Sequence, residues 1–433
     1  LCARQEIPVE RLAPSEAAEI EPVLSPNVIA AYRVNDASVD PFKLSIENIA
    51  HAQEFGAVFL PHRQVVGFDC RNGRICRVHL QDTRSGRKSA VAAEQVISAC
   101  GAWAGDIAAL CGLQLPMVYS KGSLLVTQER IARRVINRLR LPADGDILVP
   151  GGTVSILGTT SVRIRSLASY RPSVAEVDRI IAEGTAMIPQ LENIRYIRAY
   201  CGIRPLIESR PSGDDRGVSR GFALIDHRED GIQNLVTITG GKLTTFRLMA
   251  EKAADFVCRR LGVSRPCRTR TETLPVSDKG RWTEPGLTPR YWFVQRDPDD
   301  LLLCECEMIP KSVVDRILQS IRKQHLPLSL KAIGLRSRLG KGPCQGAFCG
   351  ARVTAALYDQ RQFSARRGIA ELKAFIGSRW RGQRALMWGA SIVQAELQEA
   401  MQCGFLGLEL EADGEVRDAA SGSKPVESNA VDE

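Results

Sequence analysis

The sequence predicts an α/β protein built from more than one domain, and three observations carry that reading. Helix and strand alternate at the start of the chain, and a buried strand, Asn234–Thr239, later ends in Gly240–Gly241 and a long helix. From about Pro116 to Asp230 the pattern changes to alternating short strands. Further on, four cysteines fall between predicted helices: Cys304, Cys306, Cys344 and Cys349.

Size and composition bound the answer. At 433 residues the chain is too long for one core. Its 44% apolar and 25% charged residues are those of an ordinary globular protein, which sets aside fibrous and wholly disordered classes. No run of 18 apolar residues occurs, so no membrane span is expected. The chain opens Leu1-Cys2-Ala3-Arg4-Gln5, which does not read as a signal peptide. A net charge of +9 suits anionic ligands, acidic partner surfaces or anionic lipid. The bases are scattered without an aromatic-laced basic block, so nucleic acid is not the expected partner. Thirteen cysteines is an odd number, and most lie singly, which predicts reduced thiols in the cytoplasm.

Each element has its own signal. Asp40–Pro41 starts a helix, with Asp as N-cap and Pro in the first turn; Phe42, Ile46, Ile49 and Ala50 form its stripe, and Gly56 ends it. A short strand is expected at 57–60. A three-stranded meander follows near Val65–Cys70, Arg74–Leu80 and Ser89–Ala93, with turns at Asn72–Gly73 and Ser85–Gly86. The buried strand Gln95–Cys100 then meets Gly101. In the middle region, strands are expected at Ser123–Gln128, Asp146–Val149 and Val154–Gly158. A helix opens there with the capping box Ser173-x-x-Glu176. Residues 263–300 read as a Pro-, Arg- and Asp-rich linker, 301–360 as the four-cysteine unit, 361–409 as a helical segment, and 410–433 as a disordered acidic tail.

Two sites stand out chemically. Paired glycines between a strand and a helix let a cofactor approach the backbone, and the helix start stabilises negative charge by about 0.3–2 kcal/mol. A plain strand–helix turn would use the same glycines, and spacing alone leaves both readings open. The four thiols suit iron–sulfur or zinc. A Cys-x-Cys pair with a Cys-x4-Cys pair fits a 2Fe–2S centre better than the usual zinc knuckle.

The run TITGGKLTTFRLMAE at Thr237–Glu251 resembles the C-terminal FAD segment of flavin-dependent glycerol-3-phosphate dehydrogenases. So do YCGIRPL at Tyr200–Leu206 and VSRGFALIDH at Val218–His227. VDPFKL, SACGAWAGDIA, KGSLLV, ADGDILVPGGTVSILGTTS and the cysteine unit resemble the catalytic subunits of the anaerobic enzymes in particular. The resemblance implies a fold of the D-amino-acid-oxidase and glycerol-3-phosphate-dehydrogenase type. Its FAD-binding Rossmann-like domain would take 1–115 and 231–262, with 1–36 packing on the neighbouring domain, and its antiparallel-sheet substrate domain 116–230. The implied reaction is oxidation of glycerol 3-phosphate to dihydroxyacetone phosphate.

The same resemblance assigns residues. FAD would be met by Val65, Gly101, Trp103, Gly240, Gly241, Leu243 and Thr244, and substrate by Arg204, Arg220 and Lys242. Cys304, Cys306, Cys344 and Cys349 would hold a 2Fe–2S cluster in a domain like bacterioferritin-associated ferredoxin. The implied partners are a second flavoprotein and a membrane-bound iron–sulfur protein of the same complex, with quinone as indirect acceptor and attachment to the inner face of the cell membrane. Related flavoenzymes acting on amino or hydroxy acids, and an electron-transfer protein without catalysis, are the alternatives. His227 is the one histidine near a matched motif, and it reads equally as part of a hairpin turn.

The chain departs from the family in three places. Its GxGxxG fingerprint is missing, so the sequence reads as N-terminally truncated, and this stretch alone is expected to bind FAD poorly. The strand end Asn-Ala-Ala-Gly is Ser98-Ala99-Cys100-Gly101 here. The 37 residues between Cys306 and Cys344 exceed the usual spacing by a few, which a loop near Lys323–Pro327 would absorb.

Overall fold

The computed structural model describes residues 6–168, 170–207, 221–275 and 287–408. Arg220 and the tail from residue 409 lie outside the described residues, so neither expectation on them meets the structure. The chain forms two compact units. One gathers Leu1–Ala57, Val118–Ser219 and Arg268–Glu409; the other gathers Val58–Met117 and Arg220–Cys267.

The smaller unit is built on a three-stranded sheet in which Leu235–Gly240 is central. It pairs parallel with Val96–Ser98, Leu235 opposite Val96 and Thr237 opposite Ser98. On its other side it pairs antiparallel with Phe222–Asp226. Leu235 and Val236 are fully buried, as a central strand covered on both faces requires. Beside it lies the expected meander, Arg63–Arg71, Arg74–Asp82 and Lys88–Val91. Ile75, Val78 and Leu80 pack from the meander onto Leu235.

A single buried amide ties the two sheets together. Asn234 accepts from the Ile75 N–H at 2.8 Å and donates to the carbonyls of Ile75, 3.0 Å, and Glu94, 3.2 Å. These bonds use both ends of the amide and satisfy backbone groups that would otherwise be orphaned.

The larger unit centres on a six-stranded sheet, antiparallel along five of its strands. Its long strand Met117–Thr127 pairs with Val162–Ile164, Val154–Gly158 and Tyr196–Ile207, and the order continues through Ile147–Gly151 to Ile136–Asn137. The helix Val174–Met187 covers it with Val177 and Ile180 fully buried among Leu125, Leu148 and Leu157. Its capping box forms as the sequence predicts: Ser173 Oγ accepts from the Glu176 N–H, and Glu176 accepts from the Ser173 N–H at 2.9 Å. The N-terminal segment joins this unit, where the Ser25 N–H donates to the Met187 carbonyl.

The four-cysteine region is a helical cluster with its own core. Lys311–Lys323, Leu330–Arg336, Cys349–Asp359 and Ala365–Trp380 bury Val313, Ile317, Ile321, Leu330, Ile333 and Val353 to 1% exposure or less. The helix Ala390–Leu406 follows and ends on Gly407 in the left-handed conformation.

Two local expectations are corrected. Residues 57–60 form no strand, and Val58 is 81% exposed, so their apolar side chains are not buried in a sheet. The stretch read as a linker carries a helix, Leu287–Gln295, where Tyr291 packs against the four-cysteine core and stacks under Arg316 at 4.7 Å. Tertiary contact outweighed its polar, proline-rich composition. No helix among the described residues is long and apolar enough to cross a membrane.

Replacing Asn234 by alanine should strip partners from three backbone groups. The expected cost is about 1–3 kcal/mol per group left buried and unpaired, read as a drop in the denaturant midpoint. Unchanged unfolding would show that the amide is dispensable.

Candidate active site and four-thiol site

At the carboxyl ends of the two parallel strands the smaller unit repeats one arrangement side by side. Val96–Ser98 leads to Gly101, with φ of 56°, a helical turn Gly101–Trp103 and the helix Ala104–Ala109. Leu235–Gly240 leads to Gly240 and Gly241, with φ of 81° and 75°, a turn at Leu243–Thr245 and the helix Phe246–Arg260. Thr239 Oγ1 donates to the Gly101 carbonyl at 3.2 Å, which binds the two turns together. The crevice outside the carboxyl ends of parallel strands is where open α/β sheets take their ligands.

The glycines are required for different reasons. A Cβ on Gly240 would lie 2.8 Å from the Gly221 carbonyl oxygen, and one on Gly241 would lie 2.6 Å from Met249 Sδ. A Cβ on Gly101 would meet nothing within 4 Å, so the backbone there is approachable. Trp103 and Leu243 are each about half exposed, and Lys242 and Thr244 are exposed beside them. Thus Gly101, Trp103, Gly240, Gly241, Lys242, Leu243 and Thr244 all stand on these two turns. Val65 stands apart on the meander, its side chain packed against the Ile75–Leu235 cluster.

Arg204 lies in the larger unit on the strand Tyr196–Ile207. Its guanidinium donates to the Thr160 carbonyl at 3.2 Å and to Thr159 Oγ1 at 3.0 Å, and it rests over Gly122, where a Cβ would collide with it. Sequence reasoning passed over what supports this arginine. Thr160 Oγ1 and Ser123 Oγ both donate to Glu176 Oε1 at 2.9 Å, and Lys121 Nζ pairs with Glu176 Oε2 at 2.7 Å. Burial works against the Glu176 carboxylate, yet Lys121 and the donors from Ser173, Ser123 and Thr160 hold its pKa below the ordinary value. The signal was present in the sequence as the lysine of KGSLLV and the glutamate of the capping box, but nothing local linked them.

His227 is excluded as a free base. It is fully buried, with Nδ1 2.7 Å from Asp230 Oδ2 and Nε2 2.9 Å from Thr237 Oγ1. Both ring nitrogens are used in closing the turn before Leu235.

The four cysteines converge. Cys349 hydrogen-bonds to both Cys304 and Cys344, and Cys344 also to Cys306. Backbone N–H groups point at them: those of Glu307 and Gly340 at Cys304, of Cys344 at Cys306, and of Gly346 and Phe348 at Cys344. The hydrogen bond from Cys349, against burial, pulls Cys344 down to about 5 and lowers Cys304 as well. Burial pushes Cys306 up to about 11. Gly342 is glycine because a Cβ would lie 2.6 Å from that of Cys306.

The two cysteine-bearing loops are clamped together by a buried ion pair. Arg338 Nε donates to Glu307 Oε2 at 2.7 Å, and its Nη2 donates to the Gly151 carbonyl at 2.6 Å. Thr153 Oγ1 donates to Glu307 Oε1 at 2.7 Å, so the clamp also fastens the loops to the antiparallel sheet. Among the described residues no group of three or more His, Cys, Asp or Glu side chains is set to hold a single metal ion. All twelve cysteines among the described residues are free of disulfides.

The A subunit of the anaerobic glycerol-3-phosphate dehydrogenase of Escherichia coli (strain K12) is 36% identical over 432 residues, covering 95% of this chain and 79% of that protein. The protein of the same name from Haemophilus influenzae is 36% identical over 428 residues, 94% of this chain and 75% of that one. The FAD dependent oxidoreductase family, DAO, matches residues 1–256. The chain belongs to this family of FAD-dependent oxidoreductases. A glycerol-3-phosphate dehydrogenase structure from Bacillus halodurans, complexed with FAD, shares the fold. It has a TM-score of 0.59 at 19% identity, covering 88% of this chain and 84% of that one.

The residues present fit what an FAD-dependent oxidoreductase needs at its flavin. The turn at Gly101 leaves backbone open to approach, the turn at Gly240–Gly241 stands beside it, and the half-exposed Trp103 and Leu243 offer apolar surface to a ring system.

Glu176 should carry a pH signature. Its pKa is lowered in the folded state, so the stability it contributes is complete above the ordinary glutamate range and is lost as pH falls through the lower folded value. Glu176→Gln and Lys121→Met should each cost about 3–5 kcal/mol at pH 7, and the double variant less than their sum. Urea titrations from pH 7 downward check this; strict additivity would mean that the pair does not act as one.

Proposed function

We propose that this FAD-dependent oxidoreductase oxidises sn-glycerol 3-phosphate to dihydroxyacetone phosphate. The observation that carries the cofactor is the pair of strand–glycine–helix turns joined by Thr239 and Gly101. The substrate is supported by the relatives named as anaerobic glycerol-3-phosphate dehydrogenases, which align along 95% of the chain. When bound, FAD would supply the acceptor for the hydride that leaves C2 of the substrate, and the C2 hydroxyl proton would leave to a base.

The chain's own residues supply charge and orientation. Arg204 holds the substrate phosphate, because Thr159 and Thr160 fix its guanidinium as a rigid, charged fork. Arg220 is its intended companion, on the resemblance of its motif. The exposed Lys242, next to the glycine pair, orients the substrate hydroxyl and stabilises the charge that develops on its oxygen. Val65 contributes backbone to the FAD site.

Cys304, Cys306, Cys344 and Cys349 hold a 2Fe–2S cluster. Support comes from their convergence, from the N–H donors aimed at three of the sulfurs, and from the donor chemistry. Each iron of such a cluster takes two thiolates, so no three ligands need surround one ion. A bound cluster carries electrons one at a time. The partners that would receive them are a second flavoprotein and a membrane-bound iron–sulfur protein, with quinone as the indirect acceptor at the inner membrane face. The relatives are named as one lettered component of their enzymes, which supports a multi-subunit assembly.

The test is an absorption spectrum with iron and zinc analysis on anaerobically purified protein, before and after glycerol 3-phosphate. Flavin bands that bleach with substrate, together with about two irons per chain, are expected. Flavin indifferent to this substrate, or zinc in place of iron, overturns the corresponding half. Arg204→Ala should raise KM by about ten- to a hundredfold, the loss of a charge-assisted bond of about 1.5–3 kcal/mol, while Arg204→Lys recovers part. An unchanged KM would move the phosphate site elsewhere.

A further inference from the structure

We propose that Arg198 and Arg379 form a fixed cationic wall behind the four thiols, holding an anionic iron–sulfur group and raising the potential at which it takes an electron. The inference rests on the 2Fe–2S reading above and extends it to residues that no cysteine motif includes.

The two arginines are anomalous as they stand. Each is half-buried, and in each the Nε is shut off from solvent without a hydrogen-bond partner. Among the described residues no carboxylate pairs with either. What they have are aromatic rings: Arg379 lies 5.2 Å from the centroid of Phe375, and Arg198 lies 6.0 Å from that of Tyr200. They are also near enough to repel one another. Burial, and then the charge of Arg198, bring Arg379 down to about 10. Arg198 Nε sits 3.0 Å from where a Cβ on Gly382 would stand, and the Gly382 carbonyl accepts from the Ala199 N–H at 2.7 Å. Backbone pairing therefore holds the two like charges together. Buried polar groups without partners call for an explanation, and an ion is one.

Their place in the fold says which ion. The Phe375 ring under Arg379 packs against Gly340, Gly346 and Gly350, where added Cβ atoms would lie 2.6, 2.7 and 3.3 Å from it. Gly340 and Gly346 give their N–H groups to Cys304 and Cys344, and Gly350 follows Cys349. Arg379 Nη2 itself lies 3.4 Å from the Cβ position of Gly340. Four thiolates outweigh the charge left on two irons and two sulfides, so a 2Fe–2S group is a net anion and grows more negative on reduction. Fixed cations then favour the reduced form more than the oxidised one, and low surrounding polarity strengthens the effect. Lys341 adds a third cation on the same loop, its Nζ held by the Ser337 carbonyl at 2.8 Å.

The experiment uses the full chain loaded with iron, in wild type and in Arg379→Met, Arg198→Met and Arg379→Lys. The midpoint potential of the cluster is read by anaerobic redox titration with absorbance and electron paramagnetic resonance. Thermal unfolding of the chelated, iron-free proteins is read alongside. Each methionine variant should lower the equilibrium constant for taking one electron about tenfold, a shift of about 59 mV, and Arg379→Lys should keep most of the wild-type value. Without iron, the methionine variants should unfold no earlier than wild type, because each removes an unpaired buried charge. Iron bound with an unmoved potential in both methionine variants overturns this inference alone. A wild-type chain that takes up no iron overturns the cluster reading and this inference with it.

Discussion

The Arg338–Glu307 ion pair is the constraint on which the thiol site depends. Glu307 follows Cys306 by one residue, and Arg338 precedes the loop that leads to Cys344. One contact between two almost inaccessible side chains thus closes the distance between two cysteine pairs that the sequence sets far apart. A buried pair of this kind yields little net stability, because desolvating both charges offsets their attraction. Its contribution is position. The same two side chains reach Gly151 and Thr153, so the loops are fixed to the antiparallel sheet as well as to each other.

A second constraint governs the flavin half. Parallel pairing of Val96–Ser98 with Leu235–Gly240 sets two glycine turns side by side, and each turn needs positive φ to leave its strand and enter its helix. Asn234, one residue before the central strand, locks that pairing to the meander. The surface proposed for the cofactor is therefore backbone held in unusual conformations, beside which Trp103 and Leu243 stay partly exposed. Rigid scaffolding with open turns is what a binding surface for a large planar group requires.

Charge is handled differently in the two halves of the larger unit. Around Arg204, each buried group has its partner: Lys121 with Glu176, and Glu176 with Ser123, Thr160 and Ser173. Around the thiols, Arg198 and Arg379 have none among the described residues. The first arrangement is complete in itself and positions an arginine. The second is balanced only when negative charge lies on the cysteine side.

Much of this protein was legible in the chain because it depends on near neighbours. The capping box at Ser173, the Asp40–Pro41 helix start, the meander turns and the strand–glycine–helix signature are local, and each formed where the residues placed it. The membership in the FAD-dependent oxidoreductase family was legible for the same reason, as short motifs in order. Long-range facts were not legible. Residues 57–60 had strand composition and formed no strand, while 287–295 had linker composition and is a helix whose Tyr291 packs on the four-cysteine core. His227 stood near a matched motif and read equally as part of a hairpin turn, and only the fold showed Asp230 and Thr237 enclosing it. Sequence by itself determined the elements, the cofactor class and the four thiols, because propensity, glycine stereochemistry and ligand type are properties of single residues and short runs. Tertiary structure alone decided that Arg338 clamps two loops, that Lys121 underpins Arg204's surroundings, and that Arg198 and Arg379 come together without a carboxylate among the described residues, because charge pairing in a low-dielectric interior is set by which distant segments fold against one another.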